Sequence, residues 1–516
     1  MTELNKENVC IGEKSIPIFS QAYCEADVIV PDVYPDISKV IRINSTAGIT
    51  EKSCSNDRVT AEGRAEIVIL YSGDDGRVYS ISSSQQFSHI MEAKGAKPEM
   101  YAEAEINVDN VDYTILNSRK LNIKVLMGID ANVTEDIYTT VCTSVSTDEC
   151  LEILNQHITP YKTTSRACEQ LCIRETLELP AGKPSVEKIL CMDAHIRNKE
   201  YSLGTNKMIV KGTLNVSTIY CSDTDGEIHC VEHEVPFAEL IGMQDVSEDM
   251  KPGLKLYISR LFYKTEADSD GDCRGISMEC IITANAKACC VSAMDIVKDV
   301  YCIDYPLTIE HESAVVTRLV TENSSQVSVK NTIVLDEDSA EILQVFNITP
   351  KAYLASAKIE NKKVTVEGII ESDIMYLSEG TAAPIHTHKH QQPFSHSFEV
   401  AEAEENMVCD VRIDVTHSSY SISLGKEIDL RVVLQIDTDI LSNEKNESIS
   451  SITRDDSQNY DRRKAYCIKV YFAKSSDNLW SIAKKHRITK ESLMEINNIV
   501  SDSDIFDGRQ LMIPIK

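Results

Sequence analysis

A pattern that occurs three times constrains this chain more than any other feature of its sequence. Val28, Leu177 and Ile333 each lie 35 residues before a glycine, and each of these glycines lies eight residues before a tyrosine. The glycines and tyrosines are Gly63 and Tyr71, Gly212 and Tyr220, and Gly368 and Tyr376. A match without gaps over 44 positions in triplicate is the mark of an internal repeat. The chain is therefore predicted to contain three copies of one structural unit.

Each copy has the pattern of a β-rich unit with one short helix. Apolar and polar residues alternate around each repeat glycine, and a turn rich in Gly, Asp, Glu or Ser follows each repeat tyrosine, which predicts hairpins of long strands. Upstream, Ile37, Val40 and Ile41 recur at i, i+3 and i+4, and equivalent triplets begin at Val186 and Ile342. This spacing predicts a helix of one or two turns. The predicted fold class is mainly β, with three tandem sandwich-like or barrel-like repeats.

The repeat glycines lie inside predicted strands, where glycine marks a bulge or a close approach of another group. A phenylalanine follows each repeat tyrosine by 16 to 18 residues, at Phe87, Phe237 and Phe394. We expect a structural role for these glycines.

A chain of 516 residues exceeds one ordinary core, so several domains are expected. The repeats and a polar stretch divide the chain into five parts. The three copies are expected at residues 1–140, 150–302 and 305–441. Residues 442–464 are polar and nearly devoid of apolar side chains, which predicts a flexible linker. Residues 465–516 form a separate small module.

Charge and cysteine usage limit the classes of partner and compartment. The formal net charge is −29, which argues against nucleic acid and anionic membranes as partners. The last 53 residues carry +3, which leaves −32 on the rest of the chain. No apolar run is long enough for a transmembrane helix, and the first residues lack the apolar core of a secretory signal. The 17 cysteines are therefore expected to be reduced thiols in the cytoplasm, packed as small hydrophobic side chains.

The C-terminal module changes its apolar period from two to about 3.6 within a few residues. Ile468, Val470 and Phe472 alternate as a half-buried strand would. Leu479, Ile482 and Ala483 then predict the buried face of a helix, with a cap from residues 475–477. Thr489 is predicted to cap a second helix that buries Leu493 and Ile496, and Gly508 leads into a closing strand. The module is predicted to be a βααβ unit.

The module resembles the LysM family through D-N-L-W-S-I-A, a later N-N pair and the final I-x-x-G-R-Q-L-x-I-P. In that family, the loop before the first helix and the loop after the second helix form a groove for N-acetylglucosamine polymers. The usual Gly-Asp-Thr-Leu is replaced here by Ser476-Asp477-Asn478-Leu479. The resemblance implies these partner-binding residues: Lys474, Ser476, Asp477, Asn478, Trp480, Ile505, Asp507 and Arg509.

Two of these residues also have structural interpretations. Asp477 is predicted chiefly as a helix cap. Trp480, the only tryptophan of the chain, is either a core or rim residue of the module or a direct partner contact. Lys474 lies beside the groove loop and is the preferred contact for an acidic partner.

Three β-rich copies followed by a LysM module are similar to the SPOCS-domain proteins of spore-forming Clostridia, of the SipL type. The resemblance implies a sporulation adaptor made in the mother-cell cytoplasm and recruited to the outer forespore membrane. Its LysM module would bind the coat ATPase, stage IV sporulation protein A, and so help to localise the spore coat. The repeats would bind other coat proteins or self-associate. The alternative is a protein anchored to peptidoglycan or N-acetylglucosamine through LysM.

No catalytic motif supports an enzyme, and no cofactor is expected. The weak candidate for a metal site is His386, His388 and His390, which would share one face of a strand. These histidines occur in the third copy alone, on an exposed arm of a hairpin, which favours a solvated polar face.

Overall fold

The structure is a computed structural model. It describes residues 3–146, 151–224, 226–268, 271–335, 341–378, 385–423, 425–455 and 467–515.

The first copy consists of six antiparallel strands in two sheets. Its strands are β1 (Glu3–Ile29), β2 (Ile37–Ser55), β3 (Arg58–Gly73), β4 (Val78–Glu92), β5 (Tyr101–Asn117) and β6 (Lys120–Ser146). One sheet has the order β1-β6-β5 and the other β2-β3-β4. Both sheets contribute side chains to one apolar core, which includes Ile67, Ile69, Leu121 and Ile123. The copy is therefore a β-sandwich.

The second and third copies repeat this arrangement. The second consists of β7 (Leu151–Ile158), β8 (Tyr161–Glu178), β9 (Val186–Gly204), β10 (Lys207–Ser222), β11 (Ile228–Gly242), β12 (Lys251–Glu266), β13 (Gly275–Val291) and β14 (Met294–Cys302). The third consists of β15 (Leu307–Val334), β16 (Ile342–Glu360), β17 (Lys363–Ser378), β18 (Ile385–Glu399), β19 (Val408–Ser423) and β20 (Glu427–Arg454). The mainly β, sandwich-like prediction is confirmed, and the described sheets form no closed barrel.

The C-terminal module consists of β21 (Cys467–Phe472), α1 (Leu479–His486), α2 (Lys490–Asn497) and β22 (Gln510–Ile515). The strands pair antiparallel in a two-stranded sheet. This is the predicted βααβ order. Among the described residues, none of the helices has the length and apolar character needed to cross a membrane.

Each repeat glycine lies directly opposite the repeat phenylalanine of its copy. The register pairs Gly63 with Phe87 and Gly212 with Phe237, and Gly368 pairs with Phe394 in the same way. A Cβ atom added at Gly212 would lie 2.7 Å from Cζ of Phe237, well inside van der Waals contact. The aromatic ring therefore covers the glycine backbone, which explains both residues of the pattern.

The helix predicted at the start of each copy is wrong, because these residues form bulged strands. In β2 the register shifts between Ile37 and Lys39 and again between Val40 and Arg42. The corresponding strands β9 and β16 carry shifts at equivalent positions. Each bulge adds one residue to the alternation of a strand. Two bulges close together therefore produce the i, i+3, i+4 spacing that is typical of a helix.

The second bulge of each strand turns an apolar side chain away from its own core and into a junction between the copies. These bulged residues are Ile41, Leu190 and Phe346. In the junction they pack with the residue before each repeat tyrosine, namely Leu70, Ile219 and Met375. Equivalent positions of the three copies therefore meet in one apolar cluster, which we call the central junction.

Charged groups border the central junction. Arg42, whose side chain is only 10% exposed, lies 2.8 Å from Asp373 and 3.5 Å from Asp193, so one guanidinium links the three copies. Burial opposes the charge of Arg42, but the two carboxylates outweigh burial and raise its pKa. His195 contacts Thr349 of the third copy at 3.1 Å. Burial, together with nearby cations, lowers the pKa of His195 to about 4 despite the opposing effect of Asp193.

Three two-stranded ribbons extend from the sandwiches and pack together. They are the first part of β1 with the last part of β6, β7 with β14, and the first part of β15 with the last part of β20. Val9, Ile158, Ile296 and Val316 belong to one shared apolar cluster between these ribbons. A second cluster contains residues from the ends of β6, β14 and β20.

The flexible linker predicted at 442–464 is wrong for residues 442–454, which form the end of β20. Two of their polar side chains are buried and hydrogen-bonded: Asn446 accepts a hydrogen bond from Gln156 at 2.6 Å, and Ser448 accepts one from the backbone N–H of Cys142 at 2.9 Å. A polar segment can form a strand with buried positions where neighbouring ribbons supply donors and acceptors. Residues 456–466 lie outside the described residues.

The cysteines whose side chains the structure describes are all free thiols. Several are buried as small apolar side chains, including Cys24, Cys142 and Cys280, whereas Cys168 and Cys172 are exposed.

We expect Gly212→Ala to lower the free energy of unfolding by about 1 to 3 kcal/mol, because the new methyl group collides with the ring of Phe237. The measurement is urea unfolding followed by circular dichroism. Gly242→Ala is the matched control, since its Cβ atom would meet only Glu169, at 3.6 Å. Equal stability of both variants would contradict the close contact.

We expect His195 to contribute a pH-dependent part of the stability. Its folded-state pKa of about 4 lies below the ordinary 6.5, so the unfolded chain binds more protons between these values. The contribution is complete above about pH 6.5 and is lost as the pH falls towards 4.

The test compares urea unfolding of the native chain and His195→Gln at pH 7 and pH 5. From pH 7 to pH 5, the free energy of unfolding of the native chain should fall by about 1 to 2 kcal/mol more than that of the variant. The lower end of this range allows for screening of the His195 charge by solvent. The same loss in both proteins would show that His195 does not titrate in this way.

Candidate docking surfaces of the C-terminal module

The two helices of the module pack on one face of its sheet. The predicted α1 face of Leu479, Ile482 and Ala483 is buried, which confirms the helix and its periodicity. Leu493 of α2 is buried as predicted, whereas Ile496 is 37% exposed. Leu511 and Ile513 complete this core from β22.

The helix caps differ in part from the prediction. Thr489 caps α2 as predicted, and its side chain accepts from the backbone N–H of Ser492 at 3.0 Å. The cap of α1 is Asn478 instead of a residue of 475–477, and Asn478 and Ser481 form a reciprocal capping box.

Asp477 closes the loop that precedes α1. Its carboxylate accepts hydrogen bonds from the hydroxyl of Tyr471 at 2.7 Å and from the backbone N–H of Lys474 at 2.9 Å. These two hydrogen bonds, the Tyr471 bond first, lower the pKa of Asp477. Asp477 therefore shapes the loop, and the prediction that it caps the helix is wrong.

The loops before α1 and after α2 lie side by side, as a groove between them requires. Oδ1 of Asp502, in the loop after α2, accepts a hydrogen bond from the backbone N–H of Leu479 at 2.7 Å. The loop after α2 therefore contacts the first residue of α1. Of the predicted contacts, Lys474, Ser476 and Asp507 are exposed on these loops. Ile505 is half-buried against the core of the module, and Arg509 donates to the carbonyl of Asp504.

Trp480 contacts the second ribbon. Its indole Nε1 donates to Oδ2 of Asp299 at 2.8 Å. Its ring packs edge-on against Tyr301, with ring centroids 4.9 Å apart. Sequence reasoning missed Asp299 and Tyr301, because nothing in the local pattern of β14 indicates a partner so distant in the chain.

The outer face of the sheet is apolar, and it is the face predicted to be half-buried. Ile468, Val470 and Phe472 are 65%, 46% and 61% exposed. Val470 pairs with Met512, which is 43% exposed, and Ile468 pairs with Pro514. The helices instead cover the opposite face, which carries Tyr471 and Leu511. We call Ile468, Val470, Phe472 and Met512 the outer face.

The histidine candidates share one face of β18 but do not converge. His386 stacks on Tyr376 with ring centroids 5.5 Å apart, and Nε2 of His390 lies 2.6 Å from the amide nitrogen of Asn331. Across the described ranges, no group of three His, Cys, Asp or Glu side chains is placed to hold a metal ion.

Comparison with protein families assigns both kinds of unit. The model of the SipL SPOCS domain matches residues 36–116, 185–266 and 341–423, and the LysM model matches residues 471–514. The chain has the SipL-type architecture. Each SPOCS match runs from the second strand to the fifth strand of a sandwich, so the long outer strands that form the ribbons lie outside it. No curated protein and no solved structure matches the chain.

The family matches define the functional class broadly. SipL SPOCS and LysM domains indicate a sporulation-related protein with a LysM module. Both are non-catalytic domain families. LysM modules are associated with peptidoglycan or glycan binding.

Proposed function

We propose that this SipL-type chain is a non-enzymatic sporulation adaptor. Its LysM domain binds the spore coat ATPase, stage IV sporulation protein A, and helps to localise and encase the coat around the forespore. It acts in the mother-cell cytoplasm at the outer forespore membrane. Other coat proteins bind the SPOCS copies.

The observation that carries this proposal is the apolar outer face of the LysM sheet. Each of its four side chains is between 43% and 65% exposed. Burial of a large apolar side chain against a partner contributes about 1.5 to 3 kcal/mol. The four side chains carry no N–H or O–H group. A sugar needs hydrogen-bonding groups at fixed positions, so this face suits an apolar protein surface better. The outer face therefore supports protein docking.

The charge around this face favours an acidic partner. Lys474 continues the alternation of β21 beyond Phe472 and lies exposed at the end of the face. The last 53 residues carry +3, whereas the remainder carries −32. An acidic partner would be steered towards the LysM domain and repelled by the body.

The sugar groove offers less support for glycan binding. The backbone N–H of Leu479, at the base of the groove, already donates to Asp502. Asn478 and Asp477 are engaged in the cap and in the loop. Peptidoglycan is therefore the alternative ligand in the test.

The test uses the purified full-length chain with purified stage IV sporulation protein A, and separately with insoluble peptidoglycan. Phe472→Glu should weaken binding of the ATPase at least about tenfold, which corresponds to about 1.4 kcal/mol. The loss is expected because a charge would be buried in an apolar contact. Affinity is measured by biolayer interferometry.

Leu240→Glu is the matched control, since Leu240 is 59% exposed on a strand of the second copy and Phe472 is 61% exposed. It should leave binding unchanged. Sedimentation of the chain with peptidoglycan, together with no affinity for the ATPase, would overturn the proposal.

A further inference from the structure

A single carboxylate joins the LysM domain to the second ribbon. Both oxygens of Asp299 accept from Nζ of Lys484, at 2.6 and 2.7 Å, and Oδ2 also accepts from Nε1 of Trp480. Oδ1 accepts the backbone N–H of Val300 at 2.9 Å as well. The side chain of Asp299 is 18% exposed and that of Lys484 38%, so this ion pair is screened less than a surface pair.

Tyr301 forms the second part of the contact. Its hydroxyl donates to the backbone carbonyl of Ile488 at 2.7 Å, at the turn between the two helices. The side chain is 5% exposed and belongs to the apolar core of the LysM domain, with Leu479 and Ile482. A residue of the second ribbon thus completes the core of the module.

A bulge in β14 directs these two side chains to the LysM domain. The register shifts between Val297 and Asp299, so Val297 and Val300 both face the neighbouring ribbons. Asp299 and Tyr301 are left on the opposite face. Bulges commonly re-aim side chains in this way.

The other two ribbons have the same bulge without the same side chains. The register shifts of these ribbons skip Thr143 and Ser450, which have no partner residue on the opposite strand. The shift in β14 skips Lys298 in the same way. The positions that correspond to Asp299 and Tyr301 are Ser144 and Ser146 in the first ribbon, and Ser451 and Thr453 in the third. An acidic residue followed by an aromatic residue at this place is therefore specific to the second ribbon.

We propose that Asp299 and Tyr301 form a fixed seat for the LysM domain, so that the chain presents this domain in one orientation. The seat holds the helical side of the module through Trp480, Lys484 and the turn at Ile488. The outer face of the sheet lies on the other side of the module and is directed away from the body. This inference goes beyond the proposed function, because it concerns an interaction surface within the chain and does not depend on the identity of any partner.

The seat also assigns a role to Trp480. Its indole ring and N–H are used within the chain, so it is a positioning residue and does not contact a partner of the outer face. A partner of the outer face can therefore bind while the LysM domain stays on its seat.

The test uses the intrinsic fluorescence of the full-length chain, in which Trp480 is the only tryptophan. Asp299→Ala should shift the emission maximum to longer wavelength and raise the acrylamide quenching constant about twofold, because the seated face of the indole becomes accessible to water. Asp295→Ala is the matched control. It removes an exposed carboxylate from the same strand, which pairs with His157 at 2.9 Å and not with the LysM domain.

A second variant excludes a trivial loss of structure in the ribbon. Lys484→Glu leaves the ribbon intact and places a like charge opposite Asp299, so it should give the same red shift and quenching with unchanged far-UV circular dichroism. Native-like emission and quenching in both Asp299→Ala and Lys484→Glu would overturn the seat. Since no partner is present, this outcome is independent of the test for ATPase binding.

Discussion

The structure depends on an apolar contact between equivalent side chains of three tandem copies. In each copy a bulge turns one residue, Ile41, Leu190 or Phe346, out of its own sandwich and into the central junction. Bulges are usually local features of a strand, but here the same bulge in three strands creates a shared core. Arg42 fixes the arrangement further, because removing it would leave Asp193 and Asp373 without their common cation.

The ribbons carry this organisation to the LysM domain. They continue the outer strands of the sandwiches, pack against one another, and present Asp299 and Tyr301 on one of three otherwise similar ends. The resulting chain differs from a body with a freely tethered tip. It combines an acidic body with a LysM domain whose helical side is held and whose apolar outer face is open. This arrangement offers one apolar surface in a defined direction.

The sequence predicts the repeats, the β class and the LysM order well, because each of these depends on local periodicity. The opposition of glycine and phenylalanine does not follow from spacing alone, because the separation of the two residues differs among the copies with the length of the turn. The wrong predictions of a helix and of a flexible linker have physical causes. Paired bulges imitate helical spacing at Ile37 and Val40. Residues 442–454 form a strand because neighbouring ribbons satisfy its two buried polar side chains, Asn446 and Ser448.

Two features of the docking surfaces lie beyond sequence reasoning altogether. Alternation shows that Ile468 and Val470 share a face, but it does not show which face the helices cover. The partner of Trp480 lies 181 residues away in the chain, where only the packing of the ribbons brings it near. The predicted groove residues therefore divide into loop-shaping residues such as Asp477, exposed residues such as Lys474, and a residue of an internal contact, Trp480.

The three copies form one packed body around the central junction. Hydrogen exchange followed by mass spectrometry tests this packing when Arg42→Met is compared with the native chain. We predict faster exchange in β2, β9 and β17 together, because Arg42 on β2 contacts Asp193 on β9 and Asp373 on β17. Faster exchange confined to β2 and its own sandwich would contradict it.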